Sequence, residues 1–402
     1  MILGIDASRA VKKEKTGVEW YSYFLLRAME KCMPEGWRVK CYVSSLPSPD
    51  PIAIGSPSPA GRGEGEGNWQ WRVLKWIGRG WTQVRLSLEM IKSPPDVLFV
   101  PSHVIPLVHP KDTITTVHDV IFLTHPELYN PEDLEAQKRG LEFALNFARK
   151  IIVPTRAVRD DLMRAGAKEG QVVVVPHGVD MGANYESIAN SRISNSEIRK
   201  FESHSQFAPP YILFIGRIEK KKNVLGLIHA FRRLIRNAPP SPDLRPPSPA
   251  GRGEGEGQLK LVLAGSLGYG GEDVLEAIKT FRLEDRVIHL GYVSRADYLA
   301  LLRNAALLVV PSFGEGFGLP VIEAMAEGVP VVCSDIPSLR EVGGNAAHYV
   351  NPNEPEDIAR GIATVLDNEM LQSEMVQRGK ERAREFTWER TAKETWEVIL
   401  GL

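Results

Sequence analysis

Cysteine is scarce in this chain: Cys32, Cys41 and Cys333 are odd in number, and none lies in a C-x-x-C pair. That pattern argues against a disulfide framework or a thiolate metal site and fits a reducing compartment. Charge imbalance is lacking too. A formal net charge of −1 excludes both the basic excess of a nucleic-acid binder and the acidity of a solvated tail. No uninterrupted apolar run reaches the roughly 18 residues of a membrane span, and "MILGIDASRA" enters a strand pattern without the basic and apolar regions of a secretory leader. These absences predict a cytoplasmic protein with neither export signal nor membrane span, placed at the inner face of the cell membrane if it meets a membrane at all.

What is present is a core large enough for two domains. At 402 residues and 43% hydrophobic content, the chain exceeds what one core usually serves, and domains of about 150–200 residues are expected. Short apolar runs alternate with longer amphipathic stretches: "MILGID", then 18–32; "VKCYV", then 69–92; "DVLFV" and "TITTVHDV", then 132–149; "KIIVPT", then 156–165; "QVVVVP". A second series follows "YILFIGR": helix 223–237, "LKLVLAG", helix 272–281, "VIHLGYV", helix 295–304, "ALLVVPS", helix 320–327 and "PVVCSD". Such alternation is how a parallel sheet covered by helices reads. The fold class is therefore α/β, with two Rossmann-like domains at 1–185 and 210–385. A polar linker at 186–209 and a final helix at 386–402 complete the division.

One eleven-residue string, "PSPAGRGEGEG", stands at 57–67 and returns unchanged at 247–257. Neither copy has a strand on one side and a helix start on the other, as a phosphate loop requires. Alternating Gly with Arg or Glu offers almost nothing to bury. The two copies read as disordered inserts at about 47–67 and 240–257, tolerated because loop closure grows by only about 0.6 kcal/mol per doubling of length.

The densest chemical signal is "PSFGEGFGLPVIEAMAEGVPVVCSD" at 311–335. A Gly-rich loop between a strand and a helix that carries Pro320 near its start makes an anion cradle from the helix N-terminus. Glu315 and Glu323 would repel phosphates, so they read as acceptors for hydroxyls on the sugars that flank a diphosphate: Glu315 for a transferred sugar, Glu323, in the first helical turn, for a ribose. In "FIGRIEKKKNV", Arg217 and Lys222 follow a strand and precede a helix, where a cation pair can neutralise a diphosphate leaving group. Lys220 and Lys221 read as solvated bystanders. Gly17 lies at the turn after the first strand, and His118 with Asp119 at the carboxyl edge of a parallel sheet, where open α/β sheets bind ligands. Burial of His118 for packing alone is the competing reading. His103, His109, His118 and His125 match no familiar metal-ligand spacing, so no metal site is read. "LAGSLGYGGED" at 263–273 lacks the spacing of a dinucleotide fingerprint and reads as a loop near the same site.

"WQWRVLKWIGRGWTQVRLSLEMIK" at 69–92 holds four Trp and five basic residues against one acid, a composition of helices that lie on anionic membranes. A competing reading has Val73, Ile77, Val84, Leu88 and Ile91 lining one face that packs on the domain.

These motifs resemble the retaining glycosyltransferases of GT-B fold in the family-four, or group-one, class. "GEGFGLPVIEAMAEGVPVV" is similar to that family's E-x7-E signature and "GRIEKKKN" to its R-x4-K element, with "IIVPTRAVRDDL", "VVPHGVD" and "LGYVSRADYLALLRNAALLVVPS" as further landmarks. In "GIDASRAVKKEKTGVEWY" the single Gly resembles members that are often mannosyltransferases. The resemblance implies two Rossmann-like domains facing across a cleft, with the last helix returning to the first domain. It implies that Gly216, Arg217 and Lys222 meet the donor diphosphate, and that Glu315, with Gly316 and the backbone of Phe317, Gly318 and Leu319, holds the donor sugar. Glu323 would then hold the ribose, Tyr292 and Val293 the base, His118 the sugar near its reacting carbon, and Gly17 would admit the phosphates. No cofactor or divalent metal is implied. The expected reaction moves a sugar, mannose favoured, from a nucleotide sugar to a glycan or lipid-linked acceptor in surface polysaccharide synthesis. No side chain stands out as nucleophile, which favours a front-face route. The alternatives are a GT-B sugar-nucleotide epimerase and a catalytically silent sugar-nucleotide-binding subunit.

Overall fold

The structure is a computed structural model that describes residues 1–45, 67–76, 80–179, 211–237 and 259–402. The sequence-predicted linker at 186–209 lies outside the described residues, as do the inserts apart from Gly67 at the edge of the first. The chain divides into two compact units, Met1–Gly178 with Phe386–Leu402, and Val179–Glu385. Among the described residues no helix is long and apolar enough to cross a membrane.

The first unit runs β1 (Ile2–Asp6), α1 (Gly17–Lys31), β2 (Arg38–Val43), β3 (Trp69–Val73), α2 (Ser87–Lys92), β4 (Val97–Val100), β5 (Thr113–Thr116), α3 (Ile121–Thr124), α4 (Pro131–Phe147), β6 (Lys150–Val153), α5 (Arg156–Arg164) and β7 (Val172–Val174). Its sheet order is β3-β2-β1-β4-β5-β6-β7, every neighbouring pair parallel. Leu3, Ile5, Leu98, Phe99, Ile114 and Ile151 are fully buried, as strands covered by helices on both faces demand.

The second unit runs β8 (Tyr211–Ile215), a 3₁₀ turn at Lys220–Lys222, α6 (Val224–Asn237), β9 (Lys260–Ala264), α7 (Gly271–Thr280), β10 (Val287–Gly291), α8 (Arg295–Asn304), β11 (Leu307–Val310), α9 (Leu319–Glu327), β12 (Val331–Ser334), α10 (Pro337–Gly343), β13 (His348–Val350), α11 (Pro355–Leu366) and α12 (Glu369–Ala383). The sheet order β10-β9-β8-β11-β12-β13 repeats the plan of the first unit, again with all pairs parallel. Ile212, Phe214, Leu227, Phe231, Leu261, Leu263, Ile358 and Ile362 form one core between sheet and helices. In both sheets the strand order reverses beside the first strand, at β1/β4 and at β8/β11. Loops beyond the carboxyl ends of those strands are where such sheets take ligands.

The last helix, α13 (Trp388–Leu400), packs within the first unit. The Trp388 ring stacks on Phe24 at 5.5 Å, Trp396 Nε1 donates to the Met29 carbonyl at 3.1 Å, and Thr391 Oγ1 donates to that of Pro176 at 2.8 Å.

One stretch departs from the sequence reading. The Trp-rich start of 69–92 is the edge strand β3, pairing with β2 from Val39–Trp69 to Val43–Val73. Period-two alternation in W-Q-W-R-V puts both Trp on one face and Gln70 and Arg72 on the other, and helical segments begin only at Trp81. The face assigned to packing is likewise corrected. Val84, Leu88 and Ile91 are 44%, 52% and 65% exposed, while Leu86 and Met90 fill the core. Ile77 lies outside the described residues.

Candidate active site

In the second unit the switch point falls between the loop after β8, which carries Gly216, Arg217 and Lys222, and the loop after β11, which carries Glu315 and leads into α9. The two loops are cross-linked. Asn223 ends the 3₁₀ turn at φ 53°, a left-handed conformation that Asn tolerates better than most residues. From there its buried amide donates to the carbonyls of Pro311 at 3.0 Å and Pro352 at 2.7 Å. Phe313 N donates to Lys221 O at 2.9 Å. The consequence is a fixed ion pair: Lys222 Nζ lies 2.7 Å from each Glu315 oxygen, and Ser312 Oγ donates to Oε1 at 2.7 Å. Sequence motifs 93 residues apart thus meet at one point.

Arg217 stands apart from that pair. Its side chain is 56% exposed, with Glu219 at 3.8 Å as a carboxylate neighbour. The two supposed bystanders are not freely solvated. Lys221 is only 18% exposed and lies 3.7 Å from Glu219, and the Lys220 ammonium sits over the Tyr269 ring at 4.7 Å, a cation–π contact. The Gly-rich 263–273 stretch explains itself by close approach. A Cβ on Gly265 would lie 1.9 Å from Gly216 O, and its φ is +153°. Gly268 N donates to Ile218 O, and Lys220 N to Tyr269 O. This loop props up the cationic turn.

α9 begins at Leu319 with Pro320 second and Gly318 as cap at φ 85°. A Cβ on Gly318 would meet Leu339 at 2.4 Å, so only glycine fits this entry. Gly316 and Phe317 complete the approach, with the Phe317 side chain buried. Glu323 lies beyond the first turn, not within it. It is 9% exposed and bound on both oxygens. Arg295 Nη2 is 2.7 Å from Oε1, and the Tyr298 hydroxyl donates to Oε2. Tyr292 and Val293, partly exposed, form the loop between β10 and the start of α8 that supplies these two partners.

At the corresponding edge of the first unit, the loop from β1 to α1 is built around carboxylates. Asp6 accepts from Trp81 Nε1 and Thr82 Oγ1, both at 3.1 Å. Glu19 accepts from Arg9 at 3.0 Å and Lys12 at 2.9 Å, and from the Thr16 hydroxyl. Burial pushes the Glu19 carboxyl up, but bonds from Thr16 and Lys12 with the charges of Lys12 and Arg9 outweigh it, leaving it at about 2. Gly17 opens α1, with no atom within 4 Å of where a Cβ would stand.

His118 lies two residues beyond β5, in a ring cluster. Its centroid is 4.7 Å from Tyr21 and 5.3 Å from His177, and Tyr21 is 4.5 Å from His177 and 6.0 Å from Trp388. His118 Nε2 is 3.2 Å from the Pro101 carbonyl oxygen, a pairing that needs the proton on Nε2 and leaves Nδ1 as acceptor. Burial pulls its pKa down to about 4, the Pro101 bond opposing in part. Burial also lowers His103 and, with the nearby His118, His177. The cluster is neutral at physiological pH.

The sequence reading named Lys222, Glu315 and Glu323 but missed the residues that hold them, Ser312, Asn223, Arg295 and Tyr298. It also missed Tyr21 and His177 beside His118. A usable signal existed for Arg295: a cation at the first position of a helix opposes the helix dipole, which calls for a compensating partner.

Residues 195–382 match the family described as glycosyl transferases group 1, and residues 15–182 match Glycosyltransferase Family 4. The O-antigen chain mannosyltransferase B of Escherichia coli is 30% identical over 284 residues, which span 70% of this chain and 68% of that protein. Sucrose-phosphate synthase from Thermosynechococcus elongatus superposes with a TM-score of 0.69 at 18% identity, over 99% of this chain and 98% of its own. Anabaena Alr3699/HepE in complex with UDP-glucose gives 0.68 at 17% identity, over 100% and 99%. Paired all-parallel units with these neighbours define a glycosyltransferase of GT-B fold. The chain belongs to the group 1 glycosyl transferases.

Proposed function

We propose that the protein transfers a sugar, mannose favoured, from a nucleotide-diphosphate donor to a glycan or lipid-linked acceptor, with retention of anomeric configuration and without a divalent metal. The observation that carries this reading is the Lys222–Glu315 pair at the switch point of the second unit. A diphosphate offers Lys222 more negative charge than the carboxylate does, and charge on the leaving oxygen grows as the glycosidic bond loosens. Lys222 and Arg217 stabilise that oxygen, aided by the positive end of α9. Released from Lys222, Glu315 accepts hydroxyls of the donor sugar. Its fixed placement by Ser312 and the Asn223 cross-link keeps reorganisation small. The kinship with an O-antigen chain mannosyltransferase supports mannose and a surface polysaccharide, and the UDP-glucose complex of HepE supports a nucleotide sugar.

His118 serves as a neutral polar contact to the sugar. Its proton faces Pro101, and its low pKa keeps Nδ1 open as acceptor. A lipid-linked acceptor brings the protein to an anionic membrane, and the exposed Val84, Leu88 and Ile91 support such a peripheral contact. Leu107 and Val108 extend the same face, because Val108 N donates to Ser87 Oγ at 3.2 Å. The one acid of this segment, Glu89, turns inward to Arg72 and Arg85, which leaves the outer surface apolar and basic.

Incubation of the full chain with a panel of nucleotide sugars and a lipid-linked glycan acceptor, with and without chelator, tests the reading. Donor-dependent, chelator-insensitive product with retained configuration is expected. Release of free nucleoside diphosphate equally fast without acceptor, or no product from any donor, overturns it.

A further inference from the structure

Glu323 is an expensive residue to bury. A carboxylate 9% exposed on an otherwise apolar helix face needs a cation and hydrogen bonds to stay ionised. α8 provides both from a single turn. Arg295, with its side chain 6% exposed, lies 2.7 Å from Oε1. Tyr298 donates its hydroxyl to Oε2, and the Arg295 guanidinium lies over the Tyr298 ring at 4.7 Å. The turn itself is locked. Ser294 Oγ caps the helix by accepting from Asp297 N at 3.2 Å and donates to Asp297 Oδ2 at 2.7 Å. Burial and the Glu323 charge push the Tyr298 hydroxyl well above its ordinary pKa, so it remains a donor.

Helix rules do not explain this arrangement, since Arg295 at the first helical position opposes the dipole and its gain comes from Glu323, 28 positions away. A carboxylate has about four lone-pair directions. Arg295 takes one on Oε1 and Tyr298 one on Oε2, which leaves one on each oxygen: the complement of two neighbouring hydroxyl groups. We propose that Arg295 and Tyr298 are positioning residues that fix the Glu323 carboxylate for the vicinal 2′- and 3′-hydroxyls of the donor ribose, so that preference for ribonucleotides is set by the first turn of α8. The inference rests on the reading of Glu323 as the ribose acceptor. Since α8 follows directly on Tyr292 and Val293, base and ribose contacts are then carried by one continuous segment.

The test compares affinities for UDP and GDP with those for their 2′-deoxy counterparts, by calorimetry on the full chain, in wild type and in Glu323→Gln, Tyr298→Phe and Arg295→Lys. Wild type is expected to favour the ribonucleotide at least tenfold. Tyr298→Phe and Arg295→Lys should cut that ratio threefold or more, by weakening the ribonucleotide, which makes both hydroxyl contacts, more than its 2′-deoxy counterpart, which keeps the 3′-hydroxyl contact alone. With saturating acceptor, donor KM should rise while kcat stays within threefold. A wild type without preference, or a Glu323→Gln variant that keeps it, removes the ribose reading. Loss of preference in Glu323→Gln alongside wild-type ratios in both α8 variants, with melting temperatures unchanged, overturns the positioning role and leaves the ribose reading standing. Arg295→Lys tests charge without fork geometry, and Tyr298→Phe deletes one hydroxyl, so failure of either to fold leaves the other to decide.

Discussion

The two units share one strand order yet line their ligand edges differently. Beyond the carboxyl ends of β8, β10 and β11 the groups are acid–base side chains already paired, Lys222 with Glu315 and Arg295 with Glu323. Around the end of β5 the groups are aromatic and neutral, Tyr21 and His177 buried and His118 half-buried against them. Prepaired charges suit a ligand that brings its own charge and takes over one partner. A neutral cluster suits contact with hydroxyls and with a sugar ring on which positive charge develops. One topology therefore supports two kinds of surface, and the loops after the strands decide which.

The largest effect expected from breaking this contrast is on turnover. Lys222→Ala and Glu315→Ala should each lower kcat by a hundredfold or more, about 3 kcal/mol, the usual loss of a preorganised charge contact. Arg217→Ala should fall in the same class despite its exposure, because its exposed side chain is free to reach a diphosphate. Initial rates with saturating donor check this, and wild-type turnover in Lys222→Ala would remove the charge reading of the second unit.

Acid should separate the units next. The His118 pKa of about 4 lies below the ordinary 6.5, so between those values the unfolded chain binds a proton that the native one refuses. Stability is fully present above 6.5 and falls as pH drops toward 4, by on the order of 3 kcal/mol for a shift of this size. His103 and His177 shift the same way through burial. Asp119 and Glu19 partly oppose the shift at His118, and His103 adds to it. Below about 4.5 the loss of Glu19 ionisation adds a further decline. Among the described residues of the second unit, His229 is an imidazole lowered by burial and by Arg232 and Arg233, and its effect is smaller because it is more exposed. All eight tryptophans lie in the first unit, so indole fluorescence reads that unit alone. Its urea midpoint should fall from pH 7 to pH 4.5 by more than the midpoint of far-UV circular dichroism; equal shifts would count against buried neutral imidazoles.

A smaller loss tests the cross-link behind the charged pair. Asn223→Ala leaves the carbonyls of Pro311 and Pro352 without the amide that bonds them and places Ala at φ 53°, at about 2 kcal/mol. Denaturant unfolding followed by circular dichroism should show it, with no change in the tryptophan signal. A coincident tryptophan shift would mean that the two units unfold together.

The contrast also governs what was legible. The second unit's charges lie in two contiguous strings whose glycines, prolines and glutamates announce a loop–helix junction, so Lys222, Glu315 and Glu323 could be named. Their holders could not, because Arg295 meets Glu323 and Asn223 meets Pro352 only through the tertiary fold. In the first unit Tyr21, His118, His177 and Trp388 come from four distant segments, and nothing local in any of them marks a shared cluster. The parallel sheets were legible from alternating apolar runs. β3 was not, since an edge strand of Trp, Gln and Arg has no apolar run, and its indoles suit a helix equally well. α10, α11 and α12, beyond the strongest motif, were left unassigned.

The smallest expected effect on stability is on the face that the sequence assigned to packing. Leu88 and Ile91 are more than half exposed, so Leu88→Ser with Ile91→Ser removes little buried area and should change unfolding free energy by no more than about 0.5 kcal/mol. Transfer to a water-soluble acceptor should be unaffected. Co-sedimentation with vesicles containing phosphatidylglycerol should nevertheless fall by tenfold or more at low salt, because two aliphatic side chains no longer enter the interface. If the same pair instead lowers stability by 2 kcal/mol or more, it packs in solution and the exposed face is wrong. If stability holds and vesicle binding is also unchanged, the membrane contact lies elsewhere in the chain.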